Sequence, residues 1–320
     1  MEEKLLVSPS PHLRGSENTQ KIMLDVIIAL LPAAVASIVI FGPRALMVIA
    51  VCVCSSVVAE YLCRRVMKRP NTVGDLSAVV TGLLLAFNLP VTIHPAIAAL
   101  GAVIAIVVVK QMFGGIGQNF VNPALTARIV LMVSFPTAMS TWVSPFYYRM
   151  GESLDAVTTA TPLTMLNEGA QSGMPDLIHM FFGVRGGCLG ETCIFALLLG
   201  GIYLLARGII GIWIPAVYIG TVFVMTWLLG GDPLYGVMSG GLVLGAVFMA
   251  TDYTTSPLTR SGKIIFAVGC GLLTVLIRKF GALPEGVSFS IILMNILVPH
   301  IERLTRPKPF GEEGKRREKA

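Results

Sequence analysis

Long apolar runs alternate with short polar islands along almost the whole chain. Most runs approach the roughly 20 residues with which a helix crosses a bilayer, whereas the third and fifth are shorter. Short segments interrupted by glycine or proline are typical of broken helices near a functional centre. We therefore predict an all-α polytopic membrane protein with about ten transmembrane helices, at roughly 22–41, 45–63, 75–90, 92–112, 120–135, 188–206, 209–229, 234–250, 263–280 and 286–303.

The composition changes this picture little. Hydrophobic residues make up 54% of the chain and charged residues 13%, against about 25% charged residues in soluble domains. The formal net charge of +6 does not indicate nucleic acid as a partner, because the basic residues fall mostly in short loops and the C-terminal tail. Residues 1–20 lack the basic and apolar segments of a cleavable signal peptide, so we expect the first span to remain in the protein.

The positive charges predict an orientation, because basic residues gather on the cytoplasmic side of a membrane protein. With both termini in the cytoplasm, the long 136–187 loop is extracytoplasmic. Arg278 and Lys279 are the exception, since they end a predicted span on the outer side. The cytoplasmic basic residues are then Lys4, Arg14, Lys21, Arg64, Arg65, Lys68, Arg69, Lys110, Arg207, Arg260, Lys263 and those of the tail.

Two five-span units with an odd number of spans must run in opposite directions, as in an inverted repeat. Gly74-Asp75 opens the third predicted span and Gly231-Asp232 opens the eighth, and both spans end in polar groups. We therefore divide the chain into a first five-span repeat with a cytoplasmic N-terminus, an extracytoplasmic loop, a second five-span repeat and a basic cytoplasmic tail, at 1–135, 136–187, 188–304 and 305–320.

The long loop carries the most specific motif. Asp155, Thr158, Ala160 and Thr161 follow the spacing Asp-x-x-Ser/Thr-x-Ala-Thr, which resembles the site where a flavin transferase esterifies FMN phosphate to a threonine. A threonine hydroxyl is a weak nucleophile and needs an enzyme and a base, so we expect an exposed, extended acceptor. In the alternative interpretation, Thr161 or Thr164 caps a short helix.

A glycine-rich stretch leads into the fifth predicted span at Asn119 and Asn122. Free backbone N–H groups at such a helix start can bind an electron-rich ligand edge, such as a flavin carbonyl. Equally, Asn122 can be the N-cap of a helix with Pro123 at its first position. Both interpretations remain open on the sequence.

Several ionisable residues lie at membrane depth, where charges are costly and usually functional. Arg128 lies inside the fifth predicted span and should pair with an acid or with carbonyl groups. Cys188 and Cys193 are interpreted as buried thiols rather than metal ligands. We predict no catalytic residue and no metal site in the chain. Helix capping is an alternative role for acids in such positions, especially for Asp232. Four acids at span ends or polar breaks are candidates for a Na⁺ or H⁺ path: Asp75, Glu191, Asp232 and Asp252.

Several separated motifs together resemble one family, that of the D subunit of the Rnf ion-translocating electron-transport complex (RnfD) and its homologue, the B subunit of the Na⁺-pumping NADH:quinone reductase (NqrB). The short N-terminus favours the Rnf member. The motifs that carry the resemblance are Asn119-Phe120-Val121-Asn122-Pro123-Ala124, Asp155 to Leu163, Gly190-Glu191-Thr192, Phe248-Met249-Ala250-Thr251-Asp252 with Ser256-Pro257, and Pro284-Glu285-Gly286-Val287-Ser288-Phe289.

The resemblance implies a fold of two inverted five-helix repeats, similar to urea transporters, in the bacterial cytoplasmic membrane. It implies covalent FMN on Thr161, attached on the outer face by a flavin transferase, and a second flavin such as riboflavin near Asn119 and Asn122. The implied partners are the lipid bilayer and the A, B, C, E and G subunits of the Rnf complex. The expected function is electron transfer between ferredoxin and NAD⁺ coupled to Na⁺ or H⁺ translocation, and the chain is not expected to be active alone.

Three other functions suit parts of the pattern. A solute channel of the urea-transporter kind suits the broken spans and the inverted repeat, but not a cofactor acceptor. Membership of a Na⁺-pumping quinone reductase suits the motifs. A scaffold that only positions neighbouring subunits needs none of the intramembrane acids.

Overall fold

The computed structural model describes residues 18–149, 160–167, 174–281 and 285–307. Two π-helical segments, Ile104–Gln111 and Gly245–Met249, continue α4 and α12 respectively. The α-helices of the described residues are α1 (Thr19–Phe41), α2 (Pro43–Val66), α3 (Ser77–Phe87), α4 (Pro95–Val103), α5 (Pro123–Ser134), α6 (Pro136–Ser140), α7 (Pro162–Asn167), α8 (Leu177–Phe182), α9 (Ile194–Ala206), α10 (Trp213–Leu228), α11 (Pro233–Met238), α12 (Leu242–Leu244), α13 (Arg260–Phe280) and α14 (Val287–Thr305).

Three of these helices, α1, α2 and α14, are long and apolar enough to cross a membrane. Shorter apolar helices are α3, the continuous Pro95–Gln111 segment, α5, α9 and α10. Large apolar side chains such as Val35 and Leu46 are exposed on the long helices. Apolar surface of this extent suits contact with lipid, so the fold is that of a helical membrane protein.

Three predicted spans have the wrong boundaries. The sixth was expected to begin at residue 188, but α9 begins at Ile194. The backbone before it bonds to the end of α3 and the residues after it: Leu189 and Gly190 donate to the carbonyls of Leu89 and Phe87, both at 3.0 Å. The eighth was expected to be continuous, but the chain breaks between α11 and α12, where Gly240 has a φ of +63°. The third span was expected to run to residue 90, but α3 ends at Phe87 and Asn88 is its C-cap.

Packing joins the two halves of the chain. The first helices of the halves, α1 and α9, lie together, and the last helices, α5 and α14, are in contact. Within the halves, α2 packs against α3 and α4, and α10 packs against α13. Buried hydroxyls add polar ties, since Tyr218 of α10 hydrogen-bonds to Thr274 of α13 at 2.7 Å and to Ser290 of α14 at 3.0 Å.

The contact between α1 and α9 depends on a glycine. A Cβ added at Gly200 would overlap the backbone carbonyl of Ala29, which cannot move aside without displacing α1. We expect Gly200→Ala to lower the free energy of unfolding by about 1–3 kcal/mol through overpacking, measured by thermal unfolding of the full chain in detergent. Gly220→Ala in α10 is the matched control, because no described residue lies within 4 Å of its added Cβ. Equal losses in both variants would contradict the close contact.

Candidate functional site

Thr161 lies immediately before α7. Its Oγ1 accepts a hydrogen bond from the backbone N–H of Thr164 at 3.3 Å, and the Thr164 hydroxyl donates to the Thr161 carbonyl at 2.7 Å. Thr161 therefore caps α7, as the alternative interpretation predicted. The expected exposed acceptor is not what the structure shows, since Thr161 is 8% exposed. The cap uses only a lone pair of Oγ1, so it does not require the hydroxyl proton.

The rest of the acceptor motif is only partly described. Ala160 is exposed. Asp155 and Thr158 lie outside the described residues. Downstream of Thr161, Leu163 and Leu166 of α7 line a cavity of about 470 Å³ that also contains Arg278 and Lys279 at the end of α13. We call this the Arg278 cavity.

A second cavity of about 260 Å³ lies where α1 begins, α5 begins and α9 ends. Three predicted site residues, Asn119, Asn122 and Asp252, all line it. We call it the Asn119 cavity. Its wall is mainly apolar, with contributions from α1, α3 and Phe248, and Lys110 contributes a positive charge. An apolar cavity with a few convergent polar groups is the usual form of a small-molecule site.

Asn122 has a structural role in addition to lining this cavity. Its Oδ1 accepts from the backbone N–H groups of Ala124 at 3.1 Å and Leu125 at 3.3 Å, which confirms the predicted helix cap. Its Nδ2 donates to the carbonyl of Met249 at 3.3 Å, tying α5 to the π-helical segment of the other half. Both polar atoms of Asn122 are therefore engaged within the protein. Asn119 Nδ2 likewise donates to the carbonyl of Val121 at 3.1 Å.

Asp252 follows the Gly245–Met249 segment, outside the described helices. Its carboxylate accepts hydrogen bonds from the hydroxyls of Thr254 at 3.1 Å and Thr255 at 3.3 Å. Desolvation raises the pKa of the Asp252 carboxyl above its ordinary value, against the lowering effect of Thr254, Thr255 and Asn119. This carboxyl group is therefore more readily protonated than a surface aspartate and shares the cavity with Asn119.

The two cavities lie at opposite ends of α10. Ile210, just before this helix, lines the Asn119 cavity, and Leu229, just after it, lines the Arg278 cavity. With 16 residues, α10 is about 24 Å long. The α7 segment that follows Thr161 is thus far from the cavity at the start of α1.

Two of the four candidate ion-path acids accept backbone hydrogen bonds at the start of helices. Asp232 Oδ1 accepts from the backbone N–H of Leu234 at 2.9 Å at the start of α11, as the capping alternative predicted. Asp75 Oδ1 accepts from the backbone N–H of Ser77 at 2.9 Å at the start of α3. The Ser77 hydroxyl also donates to Asp75, which connects this acid to a buried network.

That network centres on Lys110, which was counted among the cytoplasmic basic residues that follow the fourth span. Lys110 does not follow that span, because it lies within the π-helical segment that continues α4 and is 3% exposed. Its Nζ donates to Glu60 Oε2 at 2.8 Å and to the Ser77 hydroxyl at 2.6 Å. Glu60 is fully buried and also accepts from Thr72 at 2.8 Å and Gln111 at 3.0 Å.

A second buried network surrounds Arg128 of α5. Arg128 forms an ion pair with Glu285 and donates to Asn88 Oδ1 at 2.6 Å, at the broken end of α3. The prediction that Arg128 pairs with an acid is confirmed. Arg128 also contacts the Cys188 thiol at 3.5 Å. A guanidinium therefore occupies the centre of the group.

Glu191 belongs to the same network. Its Oε1 accepts from the backbone N–H of Cys188 at 2.9 Å, while its Oε2 is buried without a hydrogen-bond partner among the described residues. The nearby Arg185 donates to the Glu191 backbone carbonyl at 2.7 Å. Burial lowers the pKa of Arg185 to about 10, so this guanidinium still carries its charge at neutral pH.

The Cys188 thiol and two carboxylates lie close enough together to be compared with a metal site. Ligand atoms of Cys188, Glu191 and Glu285 lie within 4.8 Å of one another. Arg128 contacts both Cys188 and Glu285, so the group is organised around a guanidinium. Cys193 is buried and free, as interpreted from the sequence.

Sequence reasoning missed three functional candidates. Glu285 was noted only as part of a motif, Glu60 lay near a predicted span end, and Arg185 was placed in the outer loop. A glutamate within an apolar helix indicates a buried basic partner. The position of Glu60 in α2 and that of Lys110 in the segment that continues α4 could therefore have suggested this pair. Nothing in the sequence alone brings Glu285 to Arg128.

The helices, the broken spans and the buried charges define a polytopic membrane protein with internal polar networks. Residues 6–311 match the model of the NQR2, RnfD, RnfE family, and the chain belongs to this family. The resemblance found in the sequence is thereby confirmed.

Curated relatives cover nearly the whole chain. The chain is 49% identical to the D subunit of the Na⁺-translocating ferredoxin:NAD⁺ oxidoreductase complex of Acetobacterium woodii, over 97% of its own length and 96% of the relative's. It is 46% identical to the D subunit of the proton-translocating ferredoxin:NAD⁺ oxidoreductase complex of Clostridium ljungdahlii, over 95% and 96%. It is 38% identical to the D subunit of the ion-translocating oxidoreductase complex of Stutzerimonas stutzeri, over 93% and 94%. These relatives are subunits of ion-translocating oxidoreductase complexes.

Proposed function

We propose that this chain is the flavin-carrying membrane subunit of an Rnf-type complex. In this complex, electron transfer between ferredoxin and NAD⁺ is coupled to translocation of Na⁺ or H⁺. The observation that carries the proposal is near full-length similarity to relatives named as the D subunit of such complexes, one Na⁺-translocating and one proton-translocating. The chain works with the A, B, C, E and G subunits and is not active alone.

Thr161 carries covalent FMN in this proposal, attached by a flavin transferase. The acceptor motif supports the assignment, and so does the place of Thr161 before α7, two residues from Leu163, which lines the Arg278 cavity. Since Thr161 is buried when α7 is packed, attachment precedes this packing. Bound flavin supplies one-electron transfer chemistry, which no amino-acid side chain of the described networks provides.

The Asn119 cavity is the proposed site of the second flavin, riboflavin. Apolar walls such as Val80, Leu84 and Phe248 suit the ring system. Asn119, Thr254 and Asp252 supply hydrogen-bonding groups for its polar edge or its ribityl hydroxyls. The residues of this chain would bind and orient that group and limit the access of water to it.

Ten spans in two inverted halves are the proposed architecture in the bacterial cytoplasmic membrane. A repeated local arrangement supports it. In each half an aspartate accepts a backbone N–H at the start of a short helix, Asp75 at α3 and Asp232 at α11. A buried cation at the end of a long helix then bonds to that short helix, Lys110 to Ser77 and Arg278 to the carbonyl of Gly236.

The placement of the cavities supports opposite faces for the N-terminus and Thr161. The start of α1 lies at the Asn119 cavity, and the residues after Thr161 line the Arg278 cavity at the other end of α10. With both termini in the cytoplasm, Thr161 is then extracytoplasmic.

Glu191 and Asp252 are the proposed members of the ion path. Glu191 offers a buried carboxylate oxygen without a partner among the described residues, and Asp252 lines a cavity. Asp75 and Asp232 play a smaller part, because each is hydrogen-bonded to the backbone at the start of a helix.

Loss of the acceptor hydroxyl is expected to remove the covalent flavin completely. Thr161→Ala expressed with the transferase should show no in-gel flavin fluorescence and no FMN adduct in the mass of its 155–163 peptide, because the ester oxygen is gone. Thr164→Ala is the matched control, since it removes the neighbouring hydroxyl and leaves Thr161 intact. Its band should remain fluorescent. An adduct that persists in Thr161→Ala would refute the attachment site.

A further inference from the structure

The Arg278 cavity has the shape and lining of a ligand site. Its volume of about 470 Å³ lies within the range of about 300–1,000 Å³ of small-molecule pockets. Leu163, Leu166, Leu229 and Val275 form an apolar wall from three parts of the chain. Such a wall suits a flat ring system.

Arg278 is buried, and two of its nitrogens are already fixed. Nη1 donates to the carbonyl of Gly236 at 2.6 Å and Nη2 to that of Ser239 at 3.0 Å. Its Nε is buried without a hydrogen-bond partner among the described residues. A buried N–H without an acceptor is unfavourable and uncommon in native proteins, so an acceptor from a ligand would stabilise this arrangement.

Lys279 adds a second cation at the rim. It is exposed, and its ammonium donates to the carbonyl of Leu229 at the end of α10. An ammonium has three N–H groups, so this bond leaves donors for a ligand. Arg278 and Lys279 were the exception to the positive-inside pattern, and a ligand at this cavity gives that exception a physical reason.

The charges that line the cavity favour a monoanion. Among the described lining residues, Arg278 and Lys279 are positive and Asp232 is negative, which leaves a net charge of +1. The Asp232 carboxylate is engaged in capping α11 and does not contact the two cations through any of its described hydrogen bonds. A phosphodiester carries one negative charge and has several acceptor oxygens, which suit an arginine and a lysine.

The cations lie close to the attachment segment. A Cβ added at Gly240 would be 3.2 Å from Arg278 Nη2 and 3.7 Å from Leu163 Cδ2, so the side chains of Arg278 and Leu163 both lie close to Gly240. Leu163 is two residues after Thr161. The phosphate of a group esterified to Thr161 is therefore confined to the neighbourhood of this cavity.

We propose that Arg278 and Lys279 bind the phosphate of flavin mononucleotide while the apolar wall of the Arg278 cavity holds its ring. This inference rests on the proposed function, because it takes Thr161 as the attachment residue. It adds the groups that fix the cofactor after attachment.

The test compares FMN with riboflavin, which lacks the phosphate. The full chain, produced without a flavin transferase and placed in nanodiscs of neutral lipid, is titrated with each flavin while its fluorescence is followed. We expect FMN to occupy a site that binds it about tenfold more tightly than riboflavin, as one charge-assisted hydrogen bond allows. Lys279→Gln should abolish this preference and leave riboflavin binding unchanged. Lys263→Gln, at the other end of α13, should keep the preference.

A second measurement uses the natural, flavinylated protein. Iodide should quench the covalent flavin more strongly in Lys279→Gln than in the wild type, because the ring would leave the cavity more often. An FMN preference or a quenching response that Lys279→Gln does not alter would overturn the inference. Loss of the FMN preference on adding an anionic phospholipid would also overturn it, since a lipid headgroup would then be the occupant. Failure of the proposed function is distinct, because it would appear as the absence of an FMN adduct on Thr161.

Discussion

Arg128→Met is expected to lower the free energy of unfolding by about 3–5 kcal/mol, because it leaves a buried carboxylate without its partner. Arg128 is 3% exposed and Glu285 is 12% exposed, so water replaces little of the lost interaction. The change also leaves Asn88 Oδ1 without its donor. Thermal unfolding of the full chain in detergent, followed by circular dichroism, measures the loss.

Two comparisons isolate the buried ion pair. The double variant Arg128→Met with Glu285→Gln removes both charges and should recover a large part of the stability, because a neutral pair avoids the uncompensated charge. Arg207→Met is the matched control. Arg207 also pairs with an acid, Asp25 at 3.0 Å, but is 50% exposed, and such pairs contribute about 0–1 kcal/mol. An Arg128→Met variant as stable as Arg207→Met would show that the pair has no structural role.

The sequence indicates that Arg128 needs a partner, but not which one. An arginine within an apolar run is costly unless it is paired, and this much follows from local pattern alone. Glu285 lies far away in the chain, before α14, and only tertiary packing of α5 against α14 brings the two together. Long-range partners of this kind leave no trace in hydrophobic periodicity.

The predicted boundaries of two helices were wrong for a related reason. Residues 188–193 and 239–241 directly precede the apolar runs of the helices that follow them and include small or apolar residues such as Leu189 and Gly240, so the hydrophobic pattern does not mark where those helices begin. Their backbone groups find partners elsewhere, as when Leu189 donates to Leu89 at the end of α3. A broken span is stable only because another broken span supplies hydrogen bonds, which no local rule detects.

Parts of the site were nevertheless predictable from the residue types. Asn119 and Asn122 were selected from one glycine-rich stretch and Asp252 as an acid at a span end, and all three line one cavity. Each is a polar residue at the end of an apolar segment, and the ends of helices that pack together meet at the same level. Thr161 was selected from a motif, and its attachment to FMN remains a prediction.

The buried charges connect the surroundings of the two cavities. Arg128 lies five residues after Pro123, which lines the Asn119 cavity, so it is about 7.5 Å further along α5. A Cβ added at Gly241 would be 3.1 Å from Glu191 Oε2 and 3.7 Å from Arg128 Nη1. The adjacent Gly240 approaches Arg278 of the other cavity. Changes of charge at either cavity therefore act on one continuous set of buried groups.

The pair of Lys110 and Glu60 carries the second large expected effect. Lys110→Met is expected to lower the free energy of unfolding by about 3–5 kcal/mol, because Glu60 would lose its only cationic partner among the described residues in a site closed to water. The pair is 4% and 0% exposed, and the hydrogen bonds from Thr72 and Gln111 to Glu60 are neutral and replace only part of the lost charge. Chemical unfolding of the full chain in detergent measures the change.

The π-helical segment explains why Lys110 faces inward. The backbone N–H of Met112 donates to the carbonyl of Val107 at 3.0 Å, a π-helical hydrogen bond that includes one residue more than an α-helical turn. This extra residue changes which side chains face the protein, and Lys110 and Gln111 both reach Glu60.

A double-mutant cycle separates the ion pair from simple loss of packing. Glu60→Gln alone should also destabilise the chain, because it leaves the Lys110 ammonium without a carboxylate. Lys110→Met combined with Glu60→Gln should lose less than the sum of the two single variants, with a coupling free energy of about 1–3 kcal/mol. Additive losses would show that the two side chains stabilise the fold independently. Lys68→Met, an exposed lysine after α2, is the control and should change stability by less than about 0.5 kcal/mol.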